Sequence, residues 1–316
     1  MSCSSEAGAP ASRPACFAAS RGVPYLLAHQ NSDGGWGYFP GSQSSVEATC
    51  WALIALQAAT ADSNLRNALD AGCTMLRQAQ LPDGSWPPFA GRPQGCWTTS
   101  LACLALNAHG KAPERVARGL QWLLATWPAE GGLGWRLRRR LFSRSAVVRQ
   151  NPALRGWSWT PATASWVEPT AYALILLRSL GETPLPARAA RRREMGERML
   201  YDRMCPGGGW NSGNPLVYGV GGIPRVGPTV WALLALARYR ERPENRQSAD
   251  WLENEFAHIR GPASLALAHL CLTRYGRVVP PLEPAIEAVE AASGPRQHLL
   301  LNAWATIASA HNFPSS

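Results

Sequence analysis

Residues 31–57, NSDGGWGYFPGSQSSVEATCWALIALQ, run from a Gly-Gly-Trp turn through a polar loop into a helix that is apolar almost all the way round. The same plan returns at residues 81–107, where LPDGSWP leads through CWTTS into LACLALN. Trp86 follows Trp36, and Thr99 follows Thr49, at the same offset of 50 residues. Self-similarity at a fixed period marks stacked supersecondary units, so the repeat decides the architecture before any local motif is weighed.

Outward from this stretch, the pattern predicts alternating amphipathic and uniformly apolar helices. The amphipathic set is Ala15–Gln30, Asn64–Gln80, Pro113–Trp127, residues 186–205, Glu244–Ile259 and Leu282–Ala292. In the second of these, Leu65, Ala68, Leu69, Gly72, Leu76 and Ala79 trace one face at helical spacing. The apolar set is predicted near 46–60, 96–109, 166–180, 226–240, 262–274 and 295–310, with ATCWALIAL, AYALILL and VWALLALA as examples. A helix apolar on all sides must be buried on all sides. Six such pairs predict an all-α (α/α)6 toroid of two concentric rings, occupying residues 1–316 as one unit with a basic insertion at 129–165. An open solenoid of helical hairpins is the alternative arrangement.

The composition is globular, with 46% hydrophobic residues, and no run approaches the roughly 20 apolar residues of a membrane span. The N-terminus lacks a basic stretch before an apolar core, so a cytoplasmic location is expected. The eight cysteines are scattered without a CxxC pair, which argues against a disulfide framework or zinc ribbon. Cys50, Cys73, Cys103 and Cys271 fall inside helical patterns, as small buried residues do.

The DGGWG, PDGSW and PGGGWN turns, each followed by a helix opening with a Thr, resemble the repeats shared by squalene and hopene cyclases and the β subunits of protein prenyltransferases. WSWTPATASWVEPTAYALILL is also similar to bacterial proteins built only of these repeats. The resemblance covers about the whole chain. It implies the toroid, an isoprenoid or other apolar lipid as ligand, and tryptophans at 36, 86, 135 and 210 (Trp36, Trp86, Trp135, Trp210) that staple adjacent helices.

Within this family, class II terpene cyclases carry an Asp-x-Asp-Asp acid just before a Thr at the start of an inner helix. Aligned on Thr49 and Thr170, the resemblance puts Glu47 and Glu168 at the place of the middle Asp. The flanking acids are absent, since Ser45 and Ala48 frame the first and Trp166 and Pro169 the second. An apolar cavity raises a carboxyl pKa, as a general acid needs, whereas a helix N-terminus lowers it. Glu47 and Glu168 are therefore candidate acids, with capping of their helices as the structural alternative. Trp51, Trp97, Trp166 and Tyr172 are the candidate aromatic wall of the ligand site. A non-catalytic lipid-binding or scaffold toroid is the second reading. A carbohydrate-active enzyme with paired carboxylates is a third, opposed by the turn motifs.

The prenyltransferase branch would imply zinc, with a His immediately before the Thr of an inner helix. The residues at that place are Ala48, Thr98, Pro169 and Pro228. Cys50, Cys96 and His298 lie near inner helix starts but form a scattered trio; the two cysteines are read as core, and no metal or cofactor is expected. The insertion carries seven arginines between Arg136 and Arg155, interleaved with Leu137, Leu141, Phe142, Val147 and Val148. In a chain of net charge +10, Arg138, Arg139 and Arg140 are candidates to meet a diphosphate head group or an anionic membrane surface, the latter as a peripheral attachment. Nucleic acid is not expected as a partner, because no nucleic-acid module accompanies the charge.

Overall fold

The computed structural model describes residues 16–59, 63–132, 150–181, 186–293, 298–310 and 313–314. Its apolar helices are α2 (Val46–Ala58), α4 (Thr98–Ala108), α6 (Val167–Ser179), α8 (Val226–Ala235), α10 (Pro262–Arg274) and α12 (Leu299–Ala310). They pack in that order, each against the next, and α12 returns to α2, so they close an inner ring. The intervening amphipathic helices are α1 (Val23–Ala28), α3 (Ser63–Ala79), α5 (Pro113–Ala125), α7 (Ala187–Asp202), α9 (Pro243–Phe256) and α11 (Leu282–Ser293). They pack outside, which gives the expected (α/α)6 toroid.

Burial explains the division of labour. From Ala48 to Leu56 every residue of α2 is buried, as is every residue of α6 from Pro169 to Leu177. On α5, by contrast, only Val116, Gly119, Leu123 and Leu124 are buried. The first outer helix departs from its expected span, because a π-helical turn at Ala18–Gly22 precedes α1. Gly22 passes against Thr306 of α12 there, where a Cβ would stand 1.9 Å from Oγ1. The inner helix expected to 240 ends at Ala235 and continues as a single 3-10 turn, Ala237–Tyr239.

Four tryptophan turns fasten the rings. The indole N–H of Trp36, Trp86 and Trp210 donates to the carbonyl of the leucine ten residues earlier, Leu26 (2.7 Å), Leu76 (2.7 Å) and Leu200 (2.6 Å). The backbone N–H of the same tryptophans donates to Thr49, Thr99 and Thr229 on the following inner helix, at 3.0, 2.9 and 2.9 Å. In the third repeat the staple is Trp157, bonded to Leu123 O (3.0 Å) and Thr170 Oγ1 (2.9 Å). Trp135, the residue expected there, lies outside the described residues.

Each of the first three indoles lies against a glycine of the next outer helix. A Cβ at Gly72, Gly119 or Gly196 would meet Cζ3 of Trp36, Trp86 or Trp157 at 2.8, 2.8 and 3.0 Å. Buried donors are satisfied here through side chains, as buried polar groups must be.

Candidate functional site

The tryptophan turns all lead into the N-termini of inner helices, so those N-termini share one rim. Each loop there reaches over the start of the preceding inner helix. Pro88 O accepts Val46 N–H of α2 (3.0 Å), Trp159 O accepts Trp97 N–H before α4 (3.1 Å), and Ser212 O accepts Val167 N–H of α6 (3.2 Å). Across the closing seam, Tyr38 O accepts Leu299 N–H of α12 (2.9 Å). The overlap satisfies donors that a helix start leaves free.

Glu47 and Glu168 stand in the first turns of α2 and α6 on this rim. Glu47 does not cap its helix, because Ser45 does so by accepting Ala48 N–H at 3.0 Å. Its carboxylate instead accepts a short hydrogen bond from the Tyr38 hydroxyl. Burial raises the Glu47 pKa above the ordinary carboxylate value, and the Tyr38 hydrogen bond opposes the shift only in part. Glu168 is raised by burial too. Its Oε1 accepts a long bond from Ser212 Oγ (3.4 Å), and its buried Oε2 has no partner. Both carboxylates act on the phenol of Tyr172 and help to raise its pKa, behind the larger effect of burial.

That ring belongs to an aromatic cluster at the centre of the toroid. Tyr172 stacks on Trp97 (centroids 5.5 Å apart) and meets Trp231 edge-on (5.0 Å), while Trp231 stacks on Trp51 (5.1 Å). Trp304 closes on Trp51 and Trp231 at 6.1 and 5.9 Å, and Trp159 on Trp97 at 5.0 Å. Aromatic pairs in these geometries add about 0.5–1.5 kcal/mol beyond the area they bury. The expected wall residues Trp51, Trp97 and Tyr172 are thus brought together, with Tyr172 meeting both indoles. Trp51 Nε1 is buried without a hydrogen-bond partner. It lies close enough to Glu47 to favour the charged carboxylate, but outside hydrogen-bond geometry.

Trp166 is the residue before α6, bridged to Trp157, and shares in none of these ring contacts. Arg138, Arg139 and Arg140 lie outside the described residues. Tyr38, Trp231 and Trp304 were missed by the sequence reading. Trp231 carried a signal, since it follows Thr229 by two residues as Trp51 follows Thr49 and Tyr172 follows Thr170. A hollow of about 310 Å³ opens at the opposite end of the inner ring, lined by Ile54, Gln57, Asn107 and Ser179 among others. Among the described residues no group of three or more His, Cys, Asp or Glu could hold a metal ion, and no helix is long and apolar enough to cross a membrane.

The chain resembles the terpene cyclases in both sequence and fold. It is 28% identical over 253 residues to squalene–hopene cyclase of Bradyrhizobium diazoefficiens, a match covering 71% of this chain and 35% of that protein. It is 38% identical over 120 residues to drimenyl diphosphate synthase of Streptantibioticus cattleyicolor, covering 35% of this chain and 22% of that one. With human lanosterol synthase it shares 36% identity over 83 residues, 23% of this chain and 11% of the relative. The chain therefore spans a third or so, or less, of the length of these relatives. No family model matches it.

Among solved structures, a type II terpene cyclase from Scytonema bound to the product merosterolic acid A superposes with a TM-score of 0.54 at 17% identity, covering 86% of this chain and 77% of that one. A protein from Actinoplanes gives 0.56 at 17% identity, covering 92% and 96%. Salmonella α-2-macroglobulin gives 0.50 at 14% identity, with 95% of this chain matched to 18% of that one. These likenesses establish the fold, and the last shows that the fold serves more than one activity.

Proposed function

We propose that this chain binds an isoprenoid or similarly apolar chain at the inner-helix rim, and that Glu47, positioned by Tyr38, protonates it to start a class II cyclisation. The observation that carries this reading is a buried carboxyl with a raised pKa, held by a phenol, beside a cluster of aromatic faces. A raised pKa favours the protonated form that general-acid catalysis requires. The neighbouring indoles offer faces on which positive charge is stabilised by roughly 2 kcal/mol or more when water is excluded. Glu168, in the first turn of α6, is a second acid or the group that receives the departing proton. Squalene, farnesyl diphosphate and geranylgeranyl diphosphate are the probes to incubate with the protein, followed by mass spectrometry of extracts. A cyclised product lost in Glu47→Gln supports the reading, and unchanged turnover in both Glu47→Gln and Glu168→Gln rejects it.

A second reading, a toroid that binds lipid without turning it over, is favoured by one observation. Trp51, Trp231 and Tyr172 contact one another at the centre of the ring, so a ligand there must part them. Bound probe recovered without product supports this second reading, and no affinity for any probe removes both.

A further inference from the structure

Outside the inner ring, between α5 and α7, arginines and tryptophans alternate in four layers. The Arg155 guanidinium lies 4.2 Å from the Trp127 ring centroid, Arg192 covers the same ring at 3.9 Å, and Arg192 also covers Trp157 at 4.2 Å. Arg192 is only 2% exposed. Its Nη2 donates to Thr126 O (3.3 Å) and Gly156 O (3.2 Å), whereas its buried Nε and Nη1 have no partner. Arg188, one helical turn earlier on the same face, donates to Leu124 O (3.1 Å).

The first two repeats hold the corresponding turns differently. Gln30 donates to Gly34 O (2.8 Å) and Ala68 O (2.9 Å), and Gln80 donates to Gly84 O (2.8 Å) and Arg115 O (2.9 Å). Gly34, Gly84 and Gly156 each lie one or two residues before their staple tryptophan. These amides sit on the outer helix before each turn, four residues after the stapled leucine, where the third repeat has Trp127; Arg192 sits on the outer helix after the turn, where the first two repeats have Ala68 and Arg115. The Arg192 cation is costly, for burial and the neighbouring Arg155 and Arg188 push its pKa down to about 9. No ion pair joins Arg155, Arg188 or Arg192 to a carboxylate among the described residues. A buried cation with two unpartnered nitrogens, reinforced by two more charges of the same sign, is suited to receive an anion.

We propose that Arg155, Arg188 and Arg192 form an anion site on the outer wall for a phosphate-bearing ligand. Guanidinium groups present planar donor forks matched to phosphate oxygens, and Trp127, 37% exposed, holds two of them face-on beside solvent.

The test uses the full chain and inorganic diphosphate at ionic strength matched with sodium chloride, read by tryptophan fluorescence and thermal unfolding. Diphosphate is expected to raise the melting temperature of the wild type. Arg155→Gln and Arg188→Gln should each weaken binding roughly tenfold or more, the weight of one charge-assisted hydrogen bond. Arg192→Gln removes the buried charge and keeps a side-chain donor for the Thr126 and Gly156 carbonyls. It should stay folded and lose the diphosphate response. Arg240→Gln, at a residue paired with Glu241, is the control and should bind as wild type.

Vesicles containing phosphatidic acid form the second arm. Co-sedimentation that diphosphate competes away identifies a lipid head group, and a diphosphate response without vesicle binding identifies a soluble phosphate compound. No diphosphate response beyond that of chloride, or equal losses in Arg240→Gln, overturns the proposal.

Discussion

The Tyr38 hydroxyl donates to the Glu47 carboxylate in the first turn of α2, while across the seam where α12 meets α2 Tyr38 O accepts Leu299 N–H of α12. The residue that orients the candidate acid is therefore fixed by the last helix of the inner ring. Replacing Tyr38 with Phe removes the bond that lowers the Glu47 pKa and leaves burial, which raises it, unopposed on that side. The Glu47 pKa is expected to rise further in Tyr38→Phe, as read from the carboxyl resonance in a 13C NMR titration. Stability should fall by about 1–3 kcal/mol in urea unfolding, since a buried acceptor loses its donor. An unchanged carboxyl titration would disconnect the two residues.

The staples predict a position-independent response. In Thr99→Val and Thr229→Val the shape of the side chain is kept, but the backbone N–H of Trp86 or Trp210 is left buried with no acceptor. Each is expected to cost about 1–3 kcal/mol, with Thr→Ser at the same positions costing less because the hydroxyl stays. Urea unfolding of the four variants checks this. Equal losses for Val and Ser would assign the threonines to packing alone.

The outer-helix glycines give a steric counterpart. Alanine is the better helix former by about 1 kcal/mol in an exposed helix. In α3, however, a Cβ at Gly72 would meet Trp36 Cζ3 at 2.8 Å and Leu53 Cδ2 at 2.9 Å. Gly72→Ala is therefore expected to destabilise by about 1–3 kcal/mol through overpacking, with Gly196→Ala milder because its nearest contact is 3.0 Å. Thermal unfolding of both variants decides the order.

The toroid was legible because its two signals, periodicity and turn chemistry, are local. A helix buried on every side must be apolar on every side, so ATCWALIAL and AYALILL declare their layer without reference to the rest. The third staple was misplaced for the same reason. The leucine lies ten residues before Trp36, Trp86 and Trp210, but the insertion puts 34 residues between Leu123 and Trp157. Trp135, in a similar Gly-x-Gly-Trp setting, then looked like the better match. Tyr38 left no local trace, because its role depends on where the ring closes. Arg192 was hidden differently, since a basic outer helix reads as a solvated face until the structure puts Trp127 and Trp157 on either side of it.

The two rim glutamates predict a pH dependence opposite to that of an ordinary salt-bridged carboxylate. Burial is the main cause that raises both from the ordinary glutamate value of 4.5. In the interval between that value and the higher folded-state value, the folded chain holds protons that the unfolded chain has released. Stability therefore falls as pH rises through this interval, by linkage, whereas a carboxylate with a depressed pKa contributes stability that is lost as pH falls. Glutamine at either position carries no proton to lose. Glu47→Gln and Glu168→Gln are accordingly expected to match the wild type near pH 4 and to be more stable than it at pH 7–8, with the larger gain at Glu168, whose Oε2 has no partner. At Glu47 the retained Tyr38 bond to the amide oxygen keeps the comparison close to isosteric. Melting temperatures measured across pH 4–8 for both variants and wild type make the test. A wild-type curve that rises with pH relative to the variants would mean that both carboxylates are stabilised as anions, and would remove the physical basis for either as a general acid.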